Sequence, residues 1–97
     1  MEKYSLLVRL EAKKGKEQDV ENFLKSALSL VNEEEGTIRW YALKIDDSTF
    51  GIFDTFENEE GRDAHLNGKI AEALMQNAEE LLAKDPVIEK VSILASK

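Results

Sequence analysis

The sequence predicts an α+β fold with the element order β-α-β-β-α-β. Three observations predict it. Apolar residues alternate in four short stretches: one near the start, two in the middle and one near the end. Between them, two longer stretches carry apolar residues at three- and four-residue steps. Only a short turn separates the two middle stretches, which makes them an antiparallel hairpin.

The first strand is YSLLVRLEA, residues 4–12. Tyr4, Leu6, Val8 and Leu10 share one face, and Ser5, Leu7, Arg9 and Glu11 the other. Lys13, Lys14 and Gly15 break the pattern. Residues 16–34 read as a helix, because Val20, Phe23, Leu24, Ala27, Leu28 and Val31 form one stripe. The run Glu33-Glu34-Glu35 reads as the acidic end of that helix, with Gly36 as a cap or loop residue. TIRWYALKI, residues 37–45, is rich in β-branched and aromatic residues. Asp46, Asp47 and Ser48 are turn-formers, and STFGIFDTF, residues 48–56, is the returning strand. Asn58 is a good N-cap, followed by Glu59 and Glu60 where a helix dipole favours anions. A short helix to Leu66 ends or bends at Asn67-Gly68, and a longer one over 69–84 carries Ile70, Ala73, Leu74, Ala78, Leu81 and Leu82. Asp85-Pro86 stops it, and VIEKVSILA, residues 87–95, is the last strand. The order, with its second α split in two, is the ferredoxin-like pattern: an antiparallel four-stranded sheet with helices on one face.

Length and composition bound the function. At 97 residues one domain spanning 1–97 is expected. A formal charge of −7 with no basic stripe speaks against nucleic acid and against anionic membranes. No apolar run reaches the roughly 20 residues that span a bilayer. The apolar LLV near the start meets Arg9 at once, so no secretory leader is expected, and the cytoplasm is the default location. With no cysteine, disulfides and thiolate metal sites are excluded.

Both faces of the expected sheet carry large apolar groups. Trp40, Ile52 and Phe56 lie on one, and Tyr41, Leu43, Ile45 and Phe53 on the other. Two helices cover one face only, so the other needs a second cover. A second copy related by a two-fold axis supplies it, and a homodimer with its sheets packed face to face is expected.

One histidine is present, His65. Gly61, Ala64, His65 and Gly68 fall on one side of the short helix, where small residues admit close approach or leave room for a ligand. Asp54 is the acid among apolar neighbours on the strand just before. If that strand face meets the helices, Asp54 and His65 line one cavity. A carboxylate beside an imidazole orients the ring and raises its basicity, which suits a general base. The same spacing also fits a histidine that ends a helix or pairs with an acid, and an Asp54 that only satisfies backbone donors. Trp40 fits either a core position or the wall of a site for a flat molecule. A single histidine without cysteine speaks against a soft-ligand metal site, and no phosphate-cradling glycine loop or nucleophile elbow is present.

Three blocks resemble the antibiotic biosynthesis monooxygenase family, across nearly the whole chain. VRLEAKKGKEQDVENFLK resembles that family's first strand and following helix. EEEGTIRWYAL resembles its E-x-G-T-x-x-Y/W block, and FGIFDTFENEEGRDAHL its F-x-x-x-E-x-W/F…A-x-x-x-H-L block. The resemblance implies a dimeric α/β barrel with a pocket between sheet and helices in each subunit. It implies oxidation of a quinol or phenol by O2 with no cofactor, the substrate itself supplying the electrons. In that setting His65 is the base or hydrogen-bond anchor, Asp54 its orienter, and Trp40, Phe56 and Phe23 the apolar walls around a small aromatic or quinol-like molecule. Asp54 stands where the family usually has Glu, and Phe56 where it often has Trp. The shorter acid sets the carboxylate back by about one methylene. A haem-degrading branch of the fold uses a first-strand Asn and a histidine on the long helix. Here the strand position is Val8 and residues 69–84 hold no histidine, so haem is not implied. The other readings are a small-molecule binding or isomerising protein of the same fold, and a purely structural dimer module.

Overall fold

Residues 2–97 are described by the computed structural model. Alternation near the start becomes β1 (Tyr4–Glu11), and the first helical stripe becomes α1 (Glu17–Val31). The hairpin is β2 (Thr37–Lys44) and β3 (Thr49–Phe56). Then follow α2 (Glu59–Leu66), α3 (Lys69–Leu81) and β4 (Val87–Ser92). All strand pairs are antiparallel, in the order β2-β3-β1-β4. The fold is the ferredoxin-like α+β arrangement that the sequence predicts.

Register decides what faces the helices. Leu6, Val8 and Leu10 of β1 stand opposite Asp54, Ile52 and Phe50 of β3. All six are buried. Val20 and Leu24 of α1 and Leu74 and Ala78 of α3 close over the β1–β3 centre, forming one apolar core with Val8, Leu10, Phe50 and Ile52. Among the described residues, the opposite sheet face has no covering layer. Leu7 (40% exposed), Tyr41 (47%), Leu43 (38%) and Val87 (42%) stand on it beside Phe53. Among the described residues no helix is long and apolar enough to cross a membrane.

Three boundaries differ from the sequence reading by three residues, and the others by at most one. The first helix ends at Val31, not at 34, with its C-cap at Asn32. Three consecutive carboxylates at the negative end of a helix, with no basic residue in its last turn, oppose its continuation. The acidic run is therefore a loop. The long helix ends at Leu81, not at 84, because Leu82 turns extended and bridges to Ala12, where it stays buried. The Ala83 amide then donates to Glu11 O at 2.8 Å. The last strand ends at Ser92, not at 95, although the Ile93 amide still donates to Lys3 O.

Candidate functional site

The site is assembled where β3, α2 and the α1–β2 loop meet. Phe50, Ile52, Asp54 and Phe56 alternate inward along β3, and the third of them is a carboxylate. Its cross-strand neighbours are Leu6 on one side and Trp40 on the other. Asp54 is fully buried. Such a group is costly unless something compensates its charge.

The compensation comes from α2. Asn58 starts this helix, its side-chain oxygen accepting from the Gly61 amide at 2.8 Å. Gly61 then lies against the α1–β2 loop, backbone on backbone. A Cβ at Gly61 would sit 2.9 Å from Gly36 O, and one at Gly36 would sit 3.0 Å from the Gly61 Cα. No larger residue fits that crossing without displacing the loop or the helix. One turn further on, His65 points at the sheet and is only 7% exposed. The Phe56 ring lies 5.3 Å from the imidazole, tilted by 45°.

Both nitrogens of His65 face carboxylates. Nδ1 lies 2.6 Å from Glu34 Oε1. Nε2 lies 3.1 Å from Asp54 Oδ2. The first contact is an aligned hydrogen bond. The second is close but off the line of an N–H···O bond, so both Asp54 oxygens lack an aligned donor among the described side chains. Burial pulls the imidazole pKa down, but Asp54 and Glu34 outweigh it and leave His65 above its usual value of 6.5. Burial raises Asp54 above its usual 3.8, and the nearby imidazole only partly offsets this. Both shifts run upward, so the pair keeps a proton to higher pH than a free imidazole does.

Over this pair opens a cavity of about 380 Å³, lined by Glu34, Gly36, Gly61, Ala64, His65 and Gly68, together with Leu30, Thr37, Lys69 and the flanking Glu33 and Glu35. The four residues that the sequence puts on one side of the short helix all line it. Asp54 does not line it, because His65 lies between the carboxylate and the space. Phe56 is buried beneath the imidazole. Trp40 is half-buried against the apolar core and borders a neighbouring cleft of about 180 Å³, which reaches Glu34 from the other side. Phe23 is elsewhere. It packs against Leu10, Val20, Leu74 and Ala78, where only about 10 Å³ is open.

The residue that sequence reasoning passes over is Glu34. Its Oε1 accepts from His65 and also from the Thr37 hydroxyl at 2.7 Å. The one signal for it is the glutamate two places before Gly36 in the E-x-G-T block. Spacing on a helix gives none, because the residue is in a loop. Among the described residues, no cluster of three or more His, Cys, Asp or Glu side chains is arranged to hold a metal ion.

Comparison with known proteins places the arrangement in a family. Residues 3–81 match the family described as antibiotic biosynthesis monooxygenase. The chain is 59% identical to NE2512, a protein of unknown function from Nitrosomonas europaea. That match covers 100% of this chain and 94% of the other, with a TM-score of 0.97. PA3566 from Pseudomonas aeruginosa shares the fold at 18% identity and a TM-score of 0.82, covering 98% of this chain and 97% of its own. Rv0793 from Mycobacterium tuberculosis does so at 13% identity and a TM-score of 0.84, covering 97% of each chain. No curated protein matches the sequence.

Proposed function

The chain belongs to the antibiotic biosynthesis monooxygenase family, and from that premise we propose that it is a cofactor-independent monooxygenase acting on a small phenolic or quinol-type molecule. One observation carries the reading. A buried imidazole, braced by two carboxylates, forms the floor of a cavity large enough for a bicyclic or tricyclic aromatic ring system.

The chemistry asks little of the protein. A hydroquinone and O2 give a hydroxyquinone and water. One oxygen atom replaces a ring hydrogen, the other leaves as water, and the substrate supplies all four electrons. The first requirement is a substrate hydroxyl that gives up its proton, since the phenolate is the form that donates electrons. The Glu34–His65–Asp54 cluster supplies hydrogen-bonding and charge at that hydroxyl. Leu30 and Ala64 give the cavity apolar surface beside the polar group, against which the ring is oriented.

The same proposal makes the working form a homodimer through the open sheet face. Its support is the row of exposed Leu7, Tyr41, Leu43 and Val87 on a face that the chain's own helices leave bare. Sedimentation should give twice the chain mass, and Tyr41→Lys with Leu7→Lys should return it to one.

The activity is tested by O2 uptake of chelator-treated protein with a panel of hydroquinones and anthrones, beside His65→Ala. Uptake above the uncatalysed rate, lost in the variant, is the expected result. Conversion of a substrate under anaerobic conditions would instead make the protein an isomerising member of the fold. Uptake that survives the substitution would reduce His65 to a structural part.

A further inference from the structure

Within the site just described, the two oxygens of Glu34 are not equivalent. Oε1 is used twice, by His65 Nδ1 at 2.6 Å and by Thr37 Oγ1 at 2.7 Å. Oε2 receives no hydrogen bond among the described residues. It points to the cavity side, where it lies 3.4 Å from the place a Cβ on Gly68 would take. Gly68 and Glu34 both line the cavity. The imidazole is in the opposite position. Each of its nitrogens faces a carboxylate, so neither is free for a ligand unless a protein contact breaks.

We propose that Glu34, through Oε2, is the group that receives the substrate hydroxyl, and that His65 is a positioning residue that fixes Glu34 from behind. The proposal rests on the phenol or quinol reading above. Thr37 and His65 bind one carboxylate oxygen and leave the other aimed at the ligand. Asp54, buried beneath, balances the imidazole charge so that His65 donates to Glu34. Gly68 keeps Oε2 clear, since any side chain there would begin within van der Waals contact of it. A carboxylate accepting a phenolic O–H is a charge-assisted hydrogen bond, so the site selects ligands by their hydroxyl.

Two probes test this, titrated calorimetrically with O2 excluded: 1-naphthol and its methyl ether, 1-methoxynaphthalene. Wild type should bind the phenol about tenfold or more tighter than the ether. In Glu34→Gln the amide carbonyl can keep both contacts of Oε1, while the amide nitrogen replaces Oε2 as a donor. That variant should lose the preference yet bind the ether within about twofold of wild type. Equal binding of the two probes by wild type, or binding of neither, overturns the proposal, as does a preference that survives in Glu34→Gln. If Glu34→Gln binds neither probe, Gly68→Ala decides. It keeps the carboxylate and puts a methyl beside Oε2, so a lost preference supports the role and a retained one overturns it. O2 plays no part in these titrations. Hydroxyl selectivity without O2 uptake upholds Glu34 and rejects the oxygenase. Uptake without selectivity does the reverse.

Discussion

The layer between sheet and helices has two unlike ends. At one, Phe50 of β3 packs in a core with Leu10, Val20, Leu74, Ala78 and Leu82; about 10 Å³ is open where the last five meet Phe23, and a separate cleft of about 300 Å³ opens between α1 and β2 beside Phe50. At the other, the same strand β3 presents Asp54 and Phe56 to a helix of small residues, and about 380 Å³ stays open. The strand geometry does not change between Phe50 and Phe56. What changes is the partner: long helices with leucine stripes at one end, a short helix with Gly61 and Ala64 facing inward at the other. The closed end supplies apolar burial, and the hollow end gives up burial for a charged cluster. The apolar core thus lies at the end away from the proposed site.

Substitutions at the two ends should therefore separate stability from activity. The largest effect is expected at the closed end. Leu10→Ala, at a fully buried position, should cost about 2–5 kcal/mol in urea unfolding. Its O2 uptake per folded molecule should stay near wild type. A loss of uptake in proportion to stability would break the separation. Next comes Gly61→Ala, whose methyl would meet Gly36 O at 2.9 Å. It should cost about 1–3 kcal/mol by overpacking and, unlike Leu10→Ala, should also depress uptake by moving His65 away from Glu34. Asn58→Ala removes the cap of α2 and should cost about 1 kcal/mol.

The subtlest effect is a dependence on pH. The folded pKa of His65 lies above its ordinary 6.5, so the folded chain binds more protons than the unfolded one in the window that starts there. Its contribution is complete below that value and is lost as pH rises through the folded pKa. Asp54 has the same sign, with its window starting at 3.8. Urea midpoints between about pH 5.5 and about pH 8.5 should fall in wild type and flatten in His65→Gln. Because His65 is the only histidine, its ring-proton resonance gives the same titration directly. In Asp54→Asn that midpoint should move down.

Most of the fold is legible in the sequence because period is a local property. Alternation of Phe50, Ile52, Asp54 and Phe56 states that Asp54 shares a face with the core, and three- and four-residue steps state which side of each helix turns inward. Residue order also sets Asp54 and His65 toward one layer between sheet and helices, but does not say whether they touch. What period cannot give is position along a stripe. Phe23 and Trp40 have equally good core signals, yet one lies in the closed end and the other beside a cleft. Nor does period reach loops. Glu33, Glu34 and Glu35 are alike in composition, and the apolar stripe before them suggests more helix. Only the crossing of Gly36 on Gly61, between segments some 25 residues apart, singles out the middle one by bringing it to His65.

That crossing also sets how sharply the cluster is defined. Most long-range spacings in a protein pass through side chains, which hop between rotamers and blur the distance they set. Between the loop of Glu34 and the helix of His65 the spacer is main chain against main chain, with no χ angle in it. Its tolerance is that of atomic radii. The two glycines act as a mechanical stop on the two backbones, and the side chains of Glu34 and His65 reach across a gap whose width that stop sets.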